Sequence, residues 1–444
     1  MNKSLARATI VGALGGLLFG FDTAVIAGTT QQLSEVFHLT PFTLGLTVFI
    51  GLAGTVVGAL GSGVLGQRIG GREALRIMAL LYTVSAIMCA FATDWNVLMI
   101  GRFIGGLGIG GSSVLGPVYI AELAPAKWRG RMVGTFQINI VVGILLAYLS
   151  NYLITLLVHG QMQWRWEFGV AILPSAIFLF LLFRIPRSSR WLVTTNQMSE
   201  ALDVLEMMGS PNSQAELQEI IDSIHLERGA KQEPVFNGQY NRPIFLAISV
   251  GLFNQLSGIN AILYYSNYIF SAAGFSSHSA ALQTVGIGFV NLLATILGMG
   301  LIDKLGRKTL LMIGALGMVL ALSSVGFVFQ THTHQNLLVW LLVLFILFFA
   351  VSQGSVIWVF IAEVFPSRVR SKGQSIGSSS HWIANAIIAG TFPLIAARSQ
   401  AIPFFFFALM MALQFIVVLL VYPETKGRTL EEMEHLWQVP GDKH

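Results

Sequence analysis

Charge is what this chain has least of. Only 11% of its 444 residues are Asp, Glu, Lys or Arg, against about a quarter in a soluble globular domain. With 54% hydrophobic residues and a mean hydropathy of +0.71, a water-facing surface cannot be built, which excludes a soluble enzyme. The net charge of +5 lies in short clusters between apolar runs, not in one patch, and so does not point to nucleic acid. Cysteine is almost absent. Cys89 alone excludes an intrachain disulfide framework and a cysteine metal site. There is no His-x-x-x-His, no Cys pair and no clustered Ser/His/Asp signal, so neither a metal, a cofactor nor a catalytic set is expected. No small-residue cleavage site follows Lys3 and Arg7, so the N-terminus is expected to remain as a first membrane helix.

Long apolar runs are present instead. About twelve can be counted, each of roughly 18–26 residues and long enough to cross about 30 Å of hydrocarbon as a helix. Spans 1 to 6 are expected at 8–28, 44–66, 74–92, 97–120, 133–157 and 166–185. Spans 7 to 12 are expected at 243–270, 280–302, 309–330, 337–361, 374–395 and 402–422. The expected class is an all-α membrane protein: twelve transmembrane helices in two pseudo-symmetric six-helix bundles, 1–185 and 243–422. Residues 186–242 form a polar linker, read as two or three short amphipathic helices, and 423–444 form a C-terminal tail.

Only Arg102, Arg165 and Arg398 of the 26 Lys and Arg residues fall at or near one side of the membrane. The other 23 are placed on the opposite side, and include the clusters Arg68/Arg72/Arg76, Lys127/Arg129/Arg131, Arg187/Arg190, Lys304/Arg307/Lys308, Arg368/Arg370/Lys372 and Lys426/Arg428. By the positive-inside rule that side is the cytoplasm, which places the linker and both termini there. The halves also repeat. Ile120-Ala121-Glu122-x-x-Pro125-x-x-x-Arg129 returns as Ile361-Ala362-Glu363-x-x-Pro366-x-x-x-Arg370, Gln67-Arg68-Ile69-Gly70 as Asp303-Lys304-Leu305-Gly306, and Pro186-Arg187-Ser188 as Pro423-Glu424-Thr425. Each is displaced by about 240 residues, the mark of a duplicated unit with its substrate site expected between the halves near the midplane. The repeated acids and bases suit a cytoplasmic gate, since water solvates separated ions when an interface opens. Topology-setting loop charge is the plainer use of such residues.

Asp22 is a lone carboxylate in the first apolar run, GALGGLLFGFDTAVIAG. A charge at that depth costs about 3 kcal/mol or more, and such residues mark ion paths, proton sites or substrate sites. Arg102, near the outer end of span 4, is its candidate partner; a structural ion pair and a proton switch are both open readings, and a movable Arg unites them. Neutral amides and aromatics lie in other spans: Gln137 and Asn139, then Asn254, Gln255 and Asn260, then Asn291, Trp358, His381 and Trp382. Amides both donate and accept, so a set of them can bind the hydroxyls of a neutral sugar, and aromatic faces stack on its C–H surfaces. Interhelical hydrogen bonding is the alternative for any single amide. Asn254, Gln255 and Asn260 are expected on neighbouring helical turns. His381 is open as a proton site, a ligand or a structural donor. Gly106, Gly108 and Gly111 spell G-x-G-x-x-G, but no strand precedes them, so close helix packing is preferred to dinucleotide binding.

These motifs resemble the sugar porter family of the major facilitator superfamily. The matching strings are GGLLFGFDTAVIAG (15–28), GRFIGGLGIGGSSVLGPVYIAELAPAKWRG (101–130), NQLSGINAILYYS (254–266), DKLGRKTLL (303–311), WVFIAEVFPSRVRSKG (358–373) and PETKGRTLEE (423–432). The resemblance implies a central monosaccharide site and alternating access by rocking of the two halves. It implies sugar contacts at Gln137, Gln255, Asn260, Tyr264, Asn291, Gly354, Trp358 and Trp382, with Phe19 close by. Family members driven by protons carry Asp at the position of Asp22 with Arg102 as its partner, whereas uniporters often carry Asn. Asn254 stands where the family usually has Gln, His381 where an amide is common, and Ala171 where some symporters have a second carboxylate. Arg187 replaces an acid, Gln67 an Asp and Gly71 an Arg. A cytoplasmic gate is therefore expected from Arg68, Glu122 and Arg129 in the first half and, more completely, from Asp303, Arg307, Glu363, Arg370 and Glu424 in the second.

The expected function is proton-coupled symport of a monosaccharide, glucose or a similar hexose or pentose, across the cytoplasmic membrane. Its partners are the sugar, protons and the lipid bilayer, with no nucleic acid, and a monomer is expected to suffice. A facilitative uniporter and a proton antiporter for drugs or organic ions are the alternatives.

Overall fold

A computed structural model describes residues 3–125, 128–229, 234–236, 238–366 and 369–427. Lys127, Arg368, Arg428 and the tail beyond residue 427 lie outside the described residues. Every regular element among those described is a helix. Spans 1 to 6 are Lys3–Val36, Pro41–Ile69, Gly71–Ala90, Trp95–Leu123, Arg129–Leu157 and Gln163–Arg184. Spans 7 to 12 are Asn241–Tyr264, Ser277–Leu305, Arg307–Thr331, Gln335–Glu363, Arg370–Ala396 and Ala401–Val421.

Eleven of these helices are long and apolar enough to cross a membrane. Span 11, Arg370–Ala396, is the more polar twelfth, because Ser375, Ser378, Ser379, Ser380, His381 and Asn385 occupy its length. Large apolar residues such as Leu60, Leu173, Leu320 and Leu420 are exposed on the outer helix faces. In water such a surface would be a liability; against lipid it is the required one.

The chain divides into two compact units, Met1–His38 with Ile50–Lys231, and Leu39–Phe49 with Gln232–His444. Packing partners repeat between them. Span 1 packs chiefly along span 5, as span 7 does along span 11; span 3 packs on spans 4 and 6, as span 9 does on spans 10 and 12. The first unit buries Ala74, Tyr82, Tyr119, Phe136 and Phe178 at its core. The linker forms three helices, Ser189–Thr194, Met198–Met208 and Ser213–Gly229, and Leu192, Ala201, Val204 and Ile224 join that same core. The second unit is built around Leu246, Leu310, Phe360, Phe365 and Tyr422.

Two glycines explain why one turn recurs. Gly70, between spans 2 and 3, has φ 93°, and Gly306, between spans 8 and 9, has φ 89°, a region that strains any residue with a Cβ. At Gly306 the space is also closed, since a Cβ would lie 2.5 Å from Glu424 Oε2. The glycine-rich stretch of span 4 is a packing seam. A Cβ at Gly106 or Gly110 would lie 2.0 Å from the carbonyl oxygen of Gly51 or Thr55, so span 2 approaches at backbone distance.

Spans 7 and 10 are irregular, as is span 6, which is interrupted between Gln163–Gly169 and Ile172–Leu181. Span 7 breaks after Asn241–Leu256, passes through Gly258 at φ 81°, and resumes as Ile259–Tyr264 and Ser266–Ala272. Asn254 and Gln255 therefore lie before the break and Asn260 after it, rather than on turns of one continuous helix. Span 10 widens into a π-helical turn at Ala350–Gly354, just before Trp358. Such turns often accompany functional sites.

Candidate functional site

The first unit holds the buried charge. Asp22 and Arg102 are 8% and 4% exposed. Arg102 Nη1 lies 3.6 Å from Asp22 Oδ2 and donates to the Asp22 carbonyl oxygen at 3.4 Å. The contact is a single point: Asp22 Oδ2 and Arg102 Nε have no hydrogen-bond partner. A bidentate Arg–carboxylate pair would use both oxygens. The guanidinium also stands 5.8 Å from the Phe168 ring centroid. The pair is thus joined through one guanidinium nitrogen, which meets both the carboxylate and the backbone carbonyl of Asp22. Phe19 and Gln137 are half-buried in the same unit, and Phe19 packs on its core. Asn139 turns back to its own helix, donating from Nδ2 to the Thr135 carbonyl at 2.9 Å.

The second unit gathers the polar residues of spans 7 and 11 at the helix break. Gln255 is 1% exposed and its Nε2 donates to Asn254 Oδ1 at 3.2 Å. The same nitrogen lies 3.1 Å from His381 Nε2. Asn260 Nδ2 donates to Gln255 Oε1 at 3.1 Å across the break. His381 is buried between Trp358 and Trp382, with ring centroids 5.0 and 5.1 Å away. Trp382 is buried, while Trp358 is 37% exposed. Tyr264 receives a hydrogen bond at its hydroxyl oxygen from Asn385 Nδ2 at 3.2 Å. Asn291 is buried in span 8, and Gly354 ends the π-helical turn. Neutral donors and acceptors beside aromatic faces suit a neutral polyhydroxyl solute. They offer a charged one no counterion.

The repeated cytoplasmic motifs form two networks of opposite polarity. In the second unit an arginine is the hub. Arg307 is bidentate on Glu363, Nε to Oε2 at 3.0 Å and Nη2 to Oε1 at 2.8 Å, and reaches Asp303 Oδ1 at 3.1 Å. Glu424 accepts the backbone N–H groups of Arg307 and Lys308 at 2.9 and 3.0 Å, capping span 9. Thr425 donates to Glu363 Oε2 at 2.6 Å. In the first unit Gly71 and Arg187 stand where Arg307 and Glu424 do, and an acid is the hub. Glu73 binds Arg72 and Arg76 and lies 3.5 Å from Arg187 Nε; Arg187 Nη1 is 3.7 Å from Glu200. Glu122 is held by the Ser188 hydroxyl with Arg190 near it. Arg68 and Arg129 are exposed, and among the described residues neither pairs with a member of these networks. Arg370 begins span 11.

Glu73 and Asn385 belong to these clusters without being expected from the sequence, and Ser188 and Thr425, expected only as members of a repeat, supply side-chain partners. Glu73 carried a usable signal, an acid between Arg72 and Arg76 at helical spacing. Asn385 is an amide one turn beyond Trp382.

Twelve helices in two repeated sets, with neutral amides, aromatics and one charge pair buried among apolar spans, define a polytopic solute transporter. The chain belongs to the Sugar (and other) transporter family, whose description matches residues 8–437. The arabinose-proton symporter of Bacillus subtilis is 36% identical, covering 96% of this chain and 93% of the relative. The D-xylose-proton symporter of Escherichia coli K12 is 35% identical over 97% of this chain and 95% of that one. The inward-open structure of the xylose transporter XylE from E. coli matches with a TM-score of 0.87 and 33% identity, covering 98% of this chain and 100% of that one.

Proposed function

We propose that this protein is a proton-coupled monosaccharide symporter of the cytoplasmic membrane, working by alternating access as a monomer with both termini in the cytoplasm. The observation that carries it is the buried Asp22, held at one point by Arg102. Protonation of Asp22 from the outer side removes the charge that holds Arg102; release of that proton to the cytoplasm restores the pair. Moving one charge through 100 mV supplies about 2.3 kcal/mol. At about 1.36 kcal/mol per tenfold, a strict one-to-one cycle sustains a sugar gradient of roughly 50-fold.

Gln255, Asn260, Asn254, His381, Trp358 and Trp382 are the sugar contacts we assign in the second unit, with Tyr264, Asn291 and Gly354 lining the same region. Phe19 and Gln137 are those we assign in the first. The Arg307–Glu363–Asp303–Glu424 cluster is assigned to the cytoplasmic gate together with Arg370, with Glu122, Arg68 and Arg129 as the corresponding residues of the first half. The substrate is a hexose or pentose such as glucose, xylose or arabinose. The test is a competition panel of radiolabelled sugars in proteoliposomes, with and without a protonophore. Uphill uptake that collapses with the protonophore supports symport; uptake that only equilibrates, indifferent to the protonophore, makes the protein a uniporter.

A further inference from the structure

A second carboxylate is buried in the first unit, apart from the Asp22–Arg102 pair. Glu167 lies in the opening turns of span 6 with 0% exposure. Gln163, one turn earlier, donates from Nε2 to Glu167 Oε1 at 2.8 Å. The other oxygen, Oε2, is buried without a hydrogen-bond partner. No ion pair of Glu167 occurs among the described residues. Arg165, two residues away, donates to the Ala90 carbonyl at 3.0 Å. Arg102 faces the adjacent Phe168 and is engaged by Asp22.

The helices packed on this turn are spans 1, 3 and 5. Asp22, Glu35, Tyr82, Cys89, Tyr148 and Tyr152 are the titratable groups in their corresponding halves, and none is bonded to Glu167. A polar file leads from Glu167 toward span 1. Gln163 Nε2 also donates to Thr155 Oγ1 at 3.0 Å, Thr155 donates to the Asn151 carbonyl at 2.8 Å, and Asn151 Nδ2 donates to the Val25 carbonyl at 3.0 Å. Val25 is one helical turn from Asp22.

A structural role does not account for this residue. The Gln163 bond needs only one oxygen, and a glutamine would supply it without a charge. A buried carboxylate with neither a cation nor a second donor is among the costliest groups a protein can hold, and binding a proton removes that cost. We propose that Glu167 is a second proton-binding residue of the transport cycle, acting beside the Asp22–Arg102 pair. The step is balanced: a hydronium ion gives its proton to Oε2 and leaves as water, and the reverse returns it when the residue is next hydrated.

The inference rests on the symport reading, and the experiment separates the two. Wild type, Glu167→Gln and Glu167→Asp are reconstituted as full-length protein. Radiolabelled D-glucose or D-xylose is used, whichever the wild type accumulates. Counterflow, which needs no net proton movement, and accumulation driven by a pH gradient are both followed from acid to neutral pH. The expected result for Glu167→Gln is a loss of accumulation, or a shift of its pH profile, that counterflow does not share. Where counterflow is retained, equal changes in both indicate packing and overturn the proposal, as does a profile identical to wild type. Should Glu167→Gln lose counterflow, Glu167→Asp decides: it keeps the titrating group one methylene shorter, and an unmoved pH profile overturns the proposal. A wild type that equilibrates either sugar but accumulates neither under the gradient refutes the symport reading instead.

Discussion

Arg102 meets Asp22 through one guanidinium nitrogen, 3.6 Å from Oδ2, although both residues are buried. Full commitment would place two parallel hydrogen bonds there. A weak bond between two desolvated charges leaves both able to exist apart, which a coupling residue requires and a structural ion pair does not. Asp22→Asn keeps the shape and removes the proton. In proteoliposomes it should reduce the sugar ratio from a ceiling of roughly 50-fold to equilibrium while counterflow persists. Undiminished accumulation would remove Asp22 from coupling.

The amide set at the span 7 break makes a second prediction. Gln255 joins Asn254, Asn260 and His381. Removing one polar partner of a sugar hydroxyl costs about 1–3 kcal/mol, so Gln255→Ala and Asn260→Ala should each weaken binding by roughly 5- to 150-fold. Calorimetry or tryptophan quenching reads this directly, with helicity unchanged. Wild-type affinity in both variants would take span 7 out of the pocket.

Arg307 is bidentate on Glu363, and its side chain is 9% exposed against 26% for the acid. Partial solvation tempers the cost of breaking the pair, so Arg307→Ala should lose about 1–3 kcal/mol, below the value for a fully buried pair. Arg307→Lys keeps the charge but not the fork and should fall between. Thermal unfolding in detergent checks the order; a lysine variant as stable as wild type would mean the fork geometry is idle.

Glu73 as an acid hub predicts that Arg187 is coupled to it. Arg187→Glu puts a like charge beside Glu73 and should lower stability, and in a Glu73→Gln background, where that repulsion is gone, the same change should cost less. The side chains are 33% and 23% exposed, so the coupling should be about 0.2–1 kcal/mol. A double-mutant cycle giving zero coupling would show that Arg187 stands near Glu73 without acting on it.

Gly110 tests the helix seam. Any Cβ there meets the Thr55 carbonyl oxygen at 2.0 Å, so Gly110→Leu should abolish recovery of monodisperse protein in size-exclusion chromatography. Normal yield would refute backbone-level packing of spans 2 and 4.

Much of this was legible in the chain. The twelve spans follow from hydropathy and length, and Asp22 is conspicuous because charge is scarce. The Asp303–Arg307–Glu363–Glu424 cluster was readable because each member sits in a repeated motif. Its counterpart was not. Replacing Arg307 by Gly71 and Glu424 by Arg187 suggested a weaker first-half network, whereas the structure turns to Glu73, a residue outside the repeat. Glu167 lay within the expected span 6 and passed unnoticed, since a carboxylate near a helix start is unremarkable until its burial is known.

The sequence by itself determined how many times the chain crosses the membrane, its internal repeat and its family, because these depend on composition and on patterns along the chain. The tertiary structure alone decided which polar groups share a partner. Span 7 breaks at Gly258, so Asn260 reaches back to Gln255; Arg102 touches Asp22 at one point only; and Glu167 keeps an oxygen with nothing to bind. The first depends on a local break in one helix and the others on distances between helices far apart in sequence, and burial raises or cancels the cost of a charge only once those distances are set.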